Sequence, residues 1–372
     1  MRALTFLLAV VAGLALACDG QHAAAPTPSP SASASPSPAA SPSPSAAPSP
    51  TPRAGPSLAV LVNPLPSGQY VITLIGNDGR VPATARANQR TQISGPAAVA
   101  TPMPEVATSL ARVYYLDGDA DLHYLAADGS TGLAARLAGS TQVHAGFAVS
   151  PDDRRLAVSL IDYSHSPATV QLYVGDLDGG NRSALFTSST EYLWPVGWHD
   201  GNLVVAAGPA YVQNAAANPY NAFNGYLLLD PANGSLVTTI KPGCTLTGPL
   251  SAAGSACSSQ SVSAVTWQGA AEIYGPAPTG LALGALSPDG LRIAVCCDET
   301  GRVFILVKPA VAGNVQASPT PLHDRQVGWV DDTHLVQGGG PQQQVVIYDT
   351  GSGAIIPVAA EGQVVARLPG GF

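Results

Sequence analysis

The sequence predicts an all-β fold of repeated, stacked sheets, and three observations predict it. First, an apolar strand runs again and again into an Asp- or Asn-containing turn closed by glycine. The copies are L-I-G-N-D-G (Leu74 to Gly79), Y-L-A-A-D-G (Tyr124 to Gly129), Y-V-G-D-L-D-G (Tyr173 to Gly179), L-L-L-D-P-A-N-G (Leu227 to Gly234) and V-I-Y-D-T-G-S-G (Val346 to Gly353), with weaker ones ending at Gly280 and Gly313. Second, F-A-V-S-P-D-D-R-R-L-A-V-S (Phe147 to Ser159) and G-A-L-S-P-D-G-L-R-I-A-V-C (Gly284 to Cys296) are one motif used twice: strand, tight turn, strand. In that turn proline presets φ and the following Asp or Gly accepts the reversal. Third, seven closing glycines over roughly 315 residues give a unit of about 45, the length of a four-stranded repeat. With 46% apolar and 11% charged residues in a chain of 372, there is ample material for a core.

The chain opens on M-R-A-L-T-F-L-L-A-V-V-A-G-L-A-L-A-C. Arg2 supplies a positive start, and the apolar run from Ala3 to Ala17 is shorter than the ~20 residues a spanning helix needs, which suits an export signal. Its end, Ala15-Leu16-Ala17-Cys18, resembles the lipobox of bacterial lipoproteins, although that family usually has leucine where Ala15 stands. The resemblance implies a signal peptide over 1–17, lipidation of Cys18 and attachment to the cell membrane by the lipid alone. An ordinary secretory signal with an incidental cysteine, hence a secreted protein, is the alternative. Asp19 to Ser57 is almost entirely Ala, Pro, Ser and Thr. Such a composition cannot bury a core and favours extended polyproline II, so 18–57 reads as a disordered spacer reaching on the order of 100 Å. The folded domain is expected over 58–372.

Within that domain, V-G-W-H-D-G-N-L-V-V-A (Val196 to Ala206) and V-G-W-V-D-D-T-H-L-V-Q (Val327 to Gln337) vary the second motif, with Trp198 and Trp329 in place of the serine. Buried tryptophans between neighbouring sheets are the expectation. The S-P-D-[DG]-x-x-[LI]-A-V pattern resembles the WD40-like repeat of TolB-type β-propellers. That resemblance implies four-stranded antiparallel blades set radially around a channel. The count gives seven blades, with six as the alternative. The fifth, around Ser261 to Gly280, lacks the Ser-Pro-Asp turn. The first opens directly with L-A-V-L-V-N and Y-V-I-T-L-I and is one strand short; Q-V-V-A-R-L (Gln363 to Leu368), beyond the seventh unit, is placed to supply it and cover the open edges.

Alternating strand direction puts the a–b and c–d turns on one face and the b–c loops and blade connections on the other. The first face is formulaic, so binding is expected on the second. Its longest loop, Gly208 to Gly225, carries Tyr211, Tyr220, Asn221 and Phe223, and its neighbour I-D-Y-S-H-S-P carries Tyr163 and His165. Aromatics interleaved with amides suit a peptide or glycan surface, and long loops in compact repeats are often functional. D-G-D-A-D places Asp117, Asp119 and Asp121 at calcium-loop spacing, but Leu122 replaces the required glycine and an acidic hairpin turn is the simpler reading. Of the remaining cysteines, Cys244 and Cys257 are expected to pair across a loose Gly/Ser/Ala segment, as exported proteins permit. Cys296 and Cys297 are either free and buried or joined to each other. A four-cysteine zinc site would lack its usual paired knuckles.

The formal net charge is −8, and of 16 basic residues only Lys241 and Lys308 are lysines. Without a basic stripe, nucleic acid is not an expected partner. There is no nucleophile elbow, zincin helix or phosphate loop in the sequence, and no cofactor is expected. The sequence therefore points to a cell-surface, lipid-anchored scaffold that binds another envelope protein. A carbohydrate-binding or carbohydrate-cleaving propeller is the alternative, and catalysis stays open because propellers assemble groups from several blades.

Overall fold

The computed structural model describes residues 56–91, 93, 106–208, 219–277, 283–297, 301–308, 315–317, 327–339 and 344–372. They form seven four-stranded antiparallel sheets. Blade 1 contains β1 (Leu58–Pro64), β2 (Gln69–Gly76) and β3 (Ala83–Asn88). Blade 2 is β4 (Val106–Thr108), β5 (Arg112–Asp117), β6 (Asp121–Ala126) and β7 (Thr131–Arg136). Blade 3 is β8 (Val143–Val149), β9 (Arg155–Asp162), β10 (Thr169–Asp176) and β11 (Ser183–Ser188). Blade 4 is β12 (Tyr192–His199), β13 (Asn202–Gly208), β14 (Gly225–Leu229) and β15 (Leu236–Ile240), with a short 3-10 turn over Pro219–Ala222. Blade 5 is β16 (Thr245–Ser251), β17 (Gly254–Ser258), β18 (Ser261–Val265) and β19 (Ala271–Pro276). Blade 6 is β20 (Leu283–Leu286), β21 (Arg292–Cys296), β22 (Phe304–Val307) and β23 (Val315–Ala317). Blade 7 is β24 (Val327–Trp329), β25 (His334–Gln337), β26 (Val346–Asp349) and β27 (Ile355–Pro357). The last strand, β28 (Gln363–Leu368), returns to blade 1 and pairs antiparallel with β1, from Leu58 opposite Leu368 to Val62 opposite Gln363. The ring is thus closed as the strand count of the first unit requires.

The continuous apolar runs follow from the architecture. Successive side chains of a strand point to opposite faces, and here both faces are covered by a neighbouring blade. In β1, Leu58, Val60 and Val62 pack toward blade 2 while Ala59 and Leu61 pack toward blade 7. In β13, Val204 and Ala206 join one layer and Leu203 and Val205 the other. Trp198 and Trp329 are buried in such layers, and the Trp329 indole donates from Nε1 to Ala285 O of the preceding blade at 2.8 Å.

The turns owe their repetition to a few side-chain hydrogen bonds. In the c–d turns, Asp78, Asp128, Asp178, Asp230 and Asp349 each accept from the amide two residues on, at 2.8–3.0 Å. This is the Asx device that makes Asp a turn residue. Gly79, at φ +79, has no room for a side chain, because a Cβ would lie 2.8 Å from Pro357 O. In the a–b turns, Ser150 Oγ donates to Asp152 Oδ1 and accepts from Arg155 N, at 2.6 and 2.9 Å. Ser287 repeats both bonds with Asp289 and Arg292.

Blade 5 departs from the expected boundaries. Its c–d turn is closed by Gly269, at φ +80, between β18 and β19, while Gly280 lies outside the described residues, as does Gly313. No Asp or Asn stands in this turn. Thr266 takes over, its Oγ1 accepting from Ala270 N at 3.2 Å. The a–b turn is Ser251-Ala252-Ala253-Gly254, in which Ser251 Oγ accepts from Ala253 N at 3.1 Å.

Candidate functional site

The inner strands leave a channel that holds a small cavity of about 70 Å³. Val106, Val149, Val196 and Ala366 are typical of its wall, and Arg367 is its charged residue. Burial pulls the Arg367 guanidinium below its ordinary value, against the opposing pull of the Asp332 carboxylate.

On the turn face this channel is crossed by the residues that follow β28. Gly370 N donates to Ser109 O of blade 2 at 2.7 Å, and Phe372 N donates to Trp198 O of blade 4 at 2.9 Å. The Phe372 ring stacks on Trp267 at 5.4 Å and 23°. Trp267 in turn stacks on His199 at 4.6 Å and 17°. Trp267 is held from its edge, Nε1 donating to Ser251 O and Ala252 O at 3.2 and 3.1 Å. His199 Nδ1 lies 2.7 Å from Phe372 O and, facing an acceptor, must carry the proton. Its Nε2 is 3.4 Å from the exposed carboxylate of Asp200.

On the opposite face, His144 of β8 is buried and meets Trp194 edge-on at 5.5 Å. Arg90, from the connection between blades 1 and 2, donates Nη1 to the imidazole, 2.6 Å from Nδ1. Burial first, and then the Arg90 charge, hold His144 well below the usual histidine value, so the ring is neutral. A neutral ring is also what an arginine donor requires.

The sequence-derived candidates separate into core, surface and undescribed residues. Tyr163 is fully buried at 0% exposure and Phe223 is also buried, both in the layer that contains Tyr192, Trp194 and Tyr226. Phe223 packs edge-on against Tyr220 at 6.1 Å and Tyr226 at 6.5 Å. These rings cap the apolar ends of blades 3 and 4, so Tyr163 and Phe223 present no ring to solvent, and Tyr220 is half-buried beside them. His165 is exposed. Asn221 lies in the short turn Pro219–Ala222, and Tyr211 and Cys18 lie outside the described residues.

The three aspartates of the blade 2 b–c loop turn to separate partners. Asp117 Oδ1 accepts from Asn88 N and Nδ2, both at 2.7 Å. Asp119 accepts from Thr91 N and Oγ1 at 2.9 and 2.8 Å. Asp121 pairs with Arg136 Nε at 2.8 Å. Among the described residues no group of three acidic, histidine or cysteine side chains is placed to hold a metal ion. Cys244 and Cys257 are disulfide-bonded with Cα atoms 5.6 Å apart, stapling the entry of β16 to β17. Cys296 and Cys297 are joined to each other and buried.

Sequence reading missed the His199–Trp267–Phe372 stack and the Arg90–His144 pair. The Gly-Trp-His turn was visible as a motif, but nothing local brings Phe372 to a histidine 173 positions away.

Fold and site together define a seven-bladed β-propeller whose channel is strapped on its turn face. No protein-family model matches the sequence, and no curated protein matches it. Among solved structures the chain is similar in outline to oligogalacturonate lyase from Vibrio parahaemolyticus, at 13% identity and TM-score 0.47 over 77% of this chain and 89% of that one. It is likewise similar to TolB from Acinetobacter baumannii, at 13% and 0.40 over 84% and 82%. The Cps50 (Swd1) β-propeller domain of Myceliophteria thermophila aligns at 10% and 0.48 over 79% and 97%. The blade count rests on this chain's own strand pairing.

Proposed function

We propose that this chain is an extracytoplasmic, lipid-anchored propeller that binds another envelope protein, held off the membrane by its Pro/Ser/Ala-rich spacer. The observation that carries the reading is a set of exposed aliphatic side chains on the outer strands of consecutive blades. Leu236 and Val237 of β15 are 59% and 54% exposed, and Ile273 of β19 is 63% exposed. Exposed aliphatic side chains on outer strands offer a partner apolar area to bury. A carbohydrate-cleaving propeller would instead bring two carboxylates together across a sugar-sized gap. The cavity in the described channel is lined by aliphatic residues with Thr108, Tyr220, Phe372 and Arg367, and brings no carboxylate to its wall, while His199 at its mouth is occupied by Phe372.

A photo-crosslinking residue at Val237, in cells making the full chain with its spacer, tests the reading. A discrete protein adduct is expected at Val237 and none at the exposed Ser183 of β11. The adduct should disappear in Leu236→Ser/Ile273→Ser with melting unchanged. No adduct at Val237 would sink the proposal. The anchor is tested separately: a palmitate analogue should label the wild type and leave Cys18→Ala unlabelled.

A further inference from the structure

The corner occupied by Phe372 is constructed as a recognition site rather than as ordinary core. Gly197 clears the space, since a Cβ there would lie 2.0 Å from Phe372 Cε2. Trp267 supplies a flat platform, fixed by its bonds to Ser251 O and Ala252 O and stacked with the His199 ring. Trp198 O accepts and His199 Nδ1 donates to the main chain of the seated residue, at 2.9 and 2.7 Å. One acceptor and one donor on the same residue's amide and carbonyl fix a peptide's orientation, as an added strand does. The stack selects an aromatic side chain.

The segment that fills the corner is held by main-chain hydrogen bonds and by the stacking of one ring, with no strand pairing of its own. Between Leu368 and Phe372 stand only Pro369, Gly370 and Gly371, residues that bring no large apolar side chain. Gly370 N to Ser109 O is the anchor on the way across, and Phe372 itself is half-buried. The strand that closes the ring, β28, ends before the crossing begins. Residues 369–372 therefore take no part in the strand pairing of any blade.

We propose that Gly197, Trp198, His199 and Trp267 form a binding site for an aromatic residue on an extended, glycine-flanked peptide, and that Phe372 fills it in cis until a partner's segment replaces it. For the source of that peptide the inference rests on the protein-binding reading above; the site itself stands on its geometry. Exchange would make engagement on the turn face competitive, with the chain's own phenylalanine setting the affinity a partner must exceed.

The test uses the full chain and a capped peptide copying residues 366–372, followed by calorimetry and tryptophan fluorescence. Phe372→Ala removes the internal competitor and should bind the peptide about ten-fold more tightly than wild type, or better. A peptide with alanine in place of its phenylalanine should not bind. Adding Gly197→Ala, whose methyl group fills the ring's space, should abolish binding. The inference is overturned by a folded Phe372→Ala that binds nothing, by equal binding to both proteins, or by binding that survives Gly197→Ala. Should Phe372→Ala fold poorly, excess peptide on the wild type decides: a fluorescence change specific to the phenylalanine peptide is expected, and none overturns the site. Failure here leaves the Val237 adduct untouched, and loss of that adduct leaves this site untouched.

Discussion

Tyr114, in the second strand of blade 2, donates its hydroxyl to Asp153 Oδ1 in the Ser-Pro-Asp-Asp turn of blade 3, at 2.8 Å. Asp153 sits at φ 60 and also faces Arg112 Nη1 at 3.9 Å, while Arg112 lies 4.4 Å above the Tyr124 ring. The repeat's turn thus serves twice, reversing its own chain and latching the blade before it. Burial first, then the hydrogen bond to Asp153, push the Tyr114 phenol well above its ordinary value, so it remains a donor.

Tyr114→Phe should lower stability by about 1–2 kcal/mol, the loss of one partly buried bond to a charged acceptor. Asp153→Asn keeps an acceptor and tolerates the left-handed backbone, so its loss should be smaller. Asp153→Val forfeits the acceptor and strains the turn, for a loss of about 2–4 kcal/mol. Urea unfolding of the three variants measures the order. Equal losses for Asn and Val would show that neither the bond nor the backbone conformation matters.

Ring closure makes a second prediction. Ending the chain after Glu361 removes β28 and leaves β1 as an unpaired, apolar edge beside the channel. Such edges recruit other chains, so light scattering should find the truncated protein multimeric or precipitated. A truncated monomer that melts like the wild type would mean that closure is not what holds blade 1.

The Arg90–His144 pair predicts a pH dependence of definite sign. His144 is depressed in the folded state, so between its folded value and the ordinary value near 6.5 the unfolded chain binds the extra proton. Its contribution is therefore full above about pH 6.5 and is lost as pH falls, at no more than about 1.4 kcal/mol per pH unit. His144→Gln should flatten this part of the profile between about pH 7 and 5. Thermal melts across that window are the measurement, and an unchanged slope would place the titration elsewhere.

The Cys244–Cys257 bond closes a short loop, with a sequence separation of 13. Loop-closure entropy for that length is about 3 kcal/mol. Reductant should lower the melting temperature of the wild type by more than that of Cys244→Ser/Cys257→Ala, which starts at the lower value and retains only the buried Cys296–Cys297 bond. A melting temperature insensitive to reductant in both proteins would remove the bond from the stability account.

What was legible in the sequence was local. An Asx turn is decided within four residues, as is a Ser-Pro-Asp turn, so both could be counted along the chain and the blades with them. Where the side-chain device changed, the count held but the turn was misplaced. Thr266 replaced the aspartate in blade 5, and the closing glycine was expected at Gly280 instead of Gly269. The missing strand of blade 1 was equally visible, because β1 begins the folded run without a partner and β28 follows the seventh unit.

By itself, then, the sequence determined a seven-unit ring of antiparallel sheets with its closing strand, through turns whose chemistry is short-range. Only the tertiary structure decided which aromatics are surface and which are core. The inner strands of the blades are covered on both faces, so their burial leaves no alternation to read, and loop residues such as Tyr163 and Phe223 cap the apolar layers from outside the strands. The tertiary structure also decided that Phe372 reaches Trp267 and His199. Ring geometry brings together residues far apart in the chain, and no local preference of either sequence neighbourhood encodes that meeting.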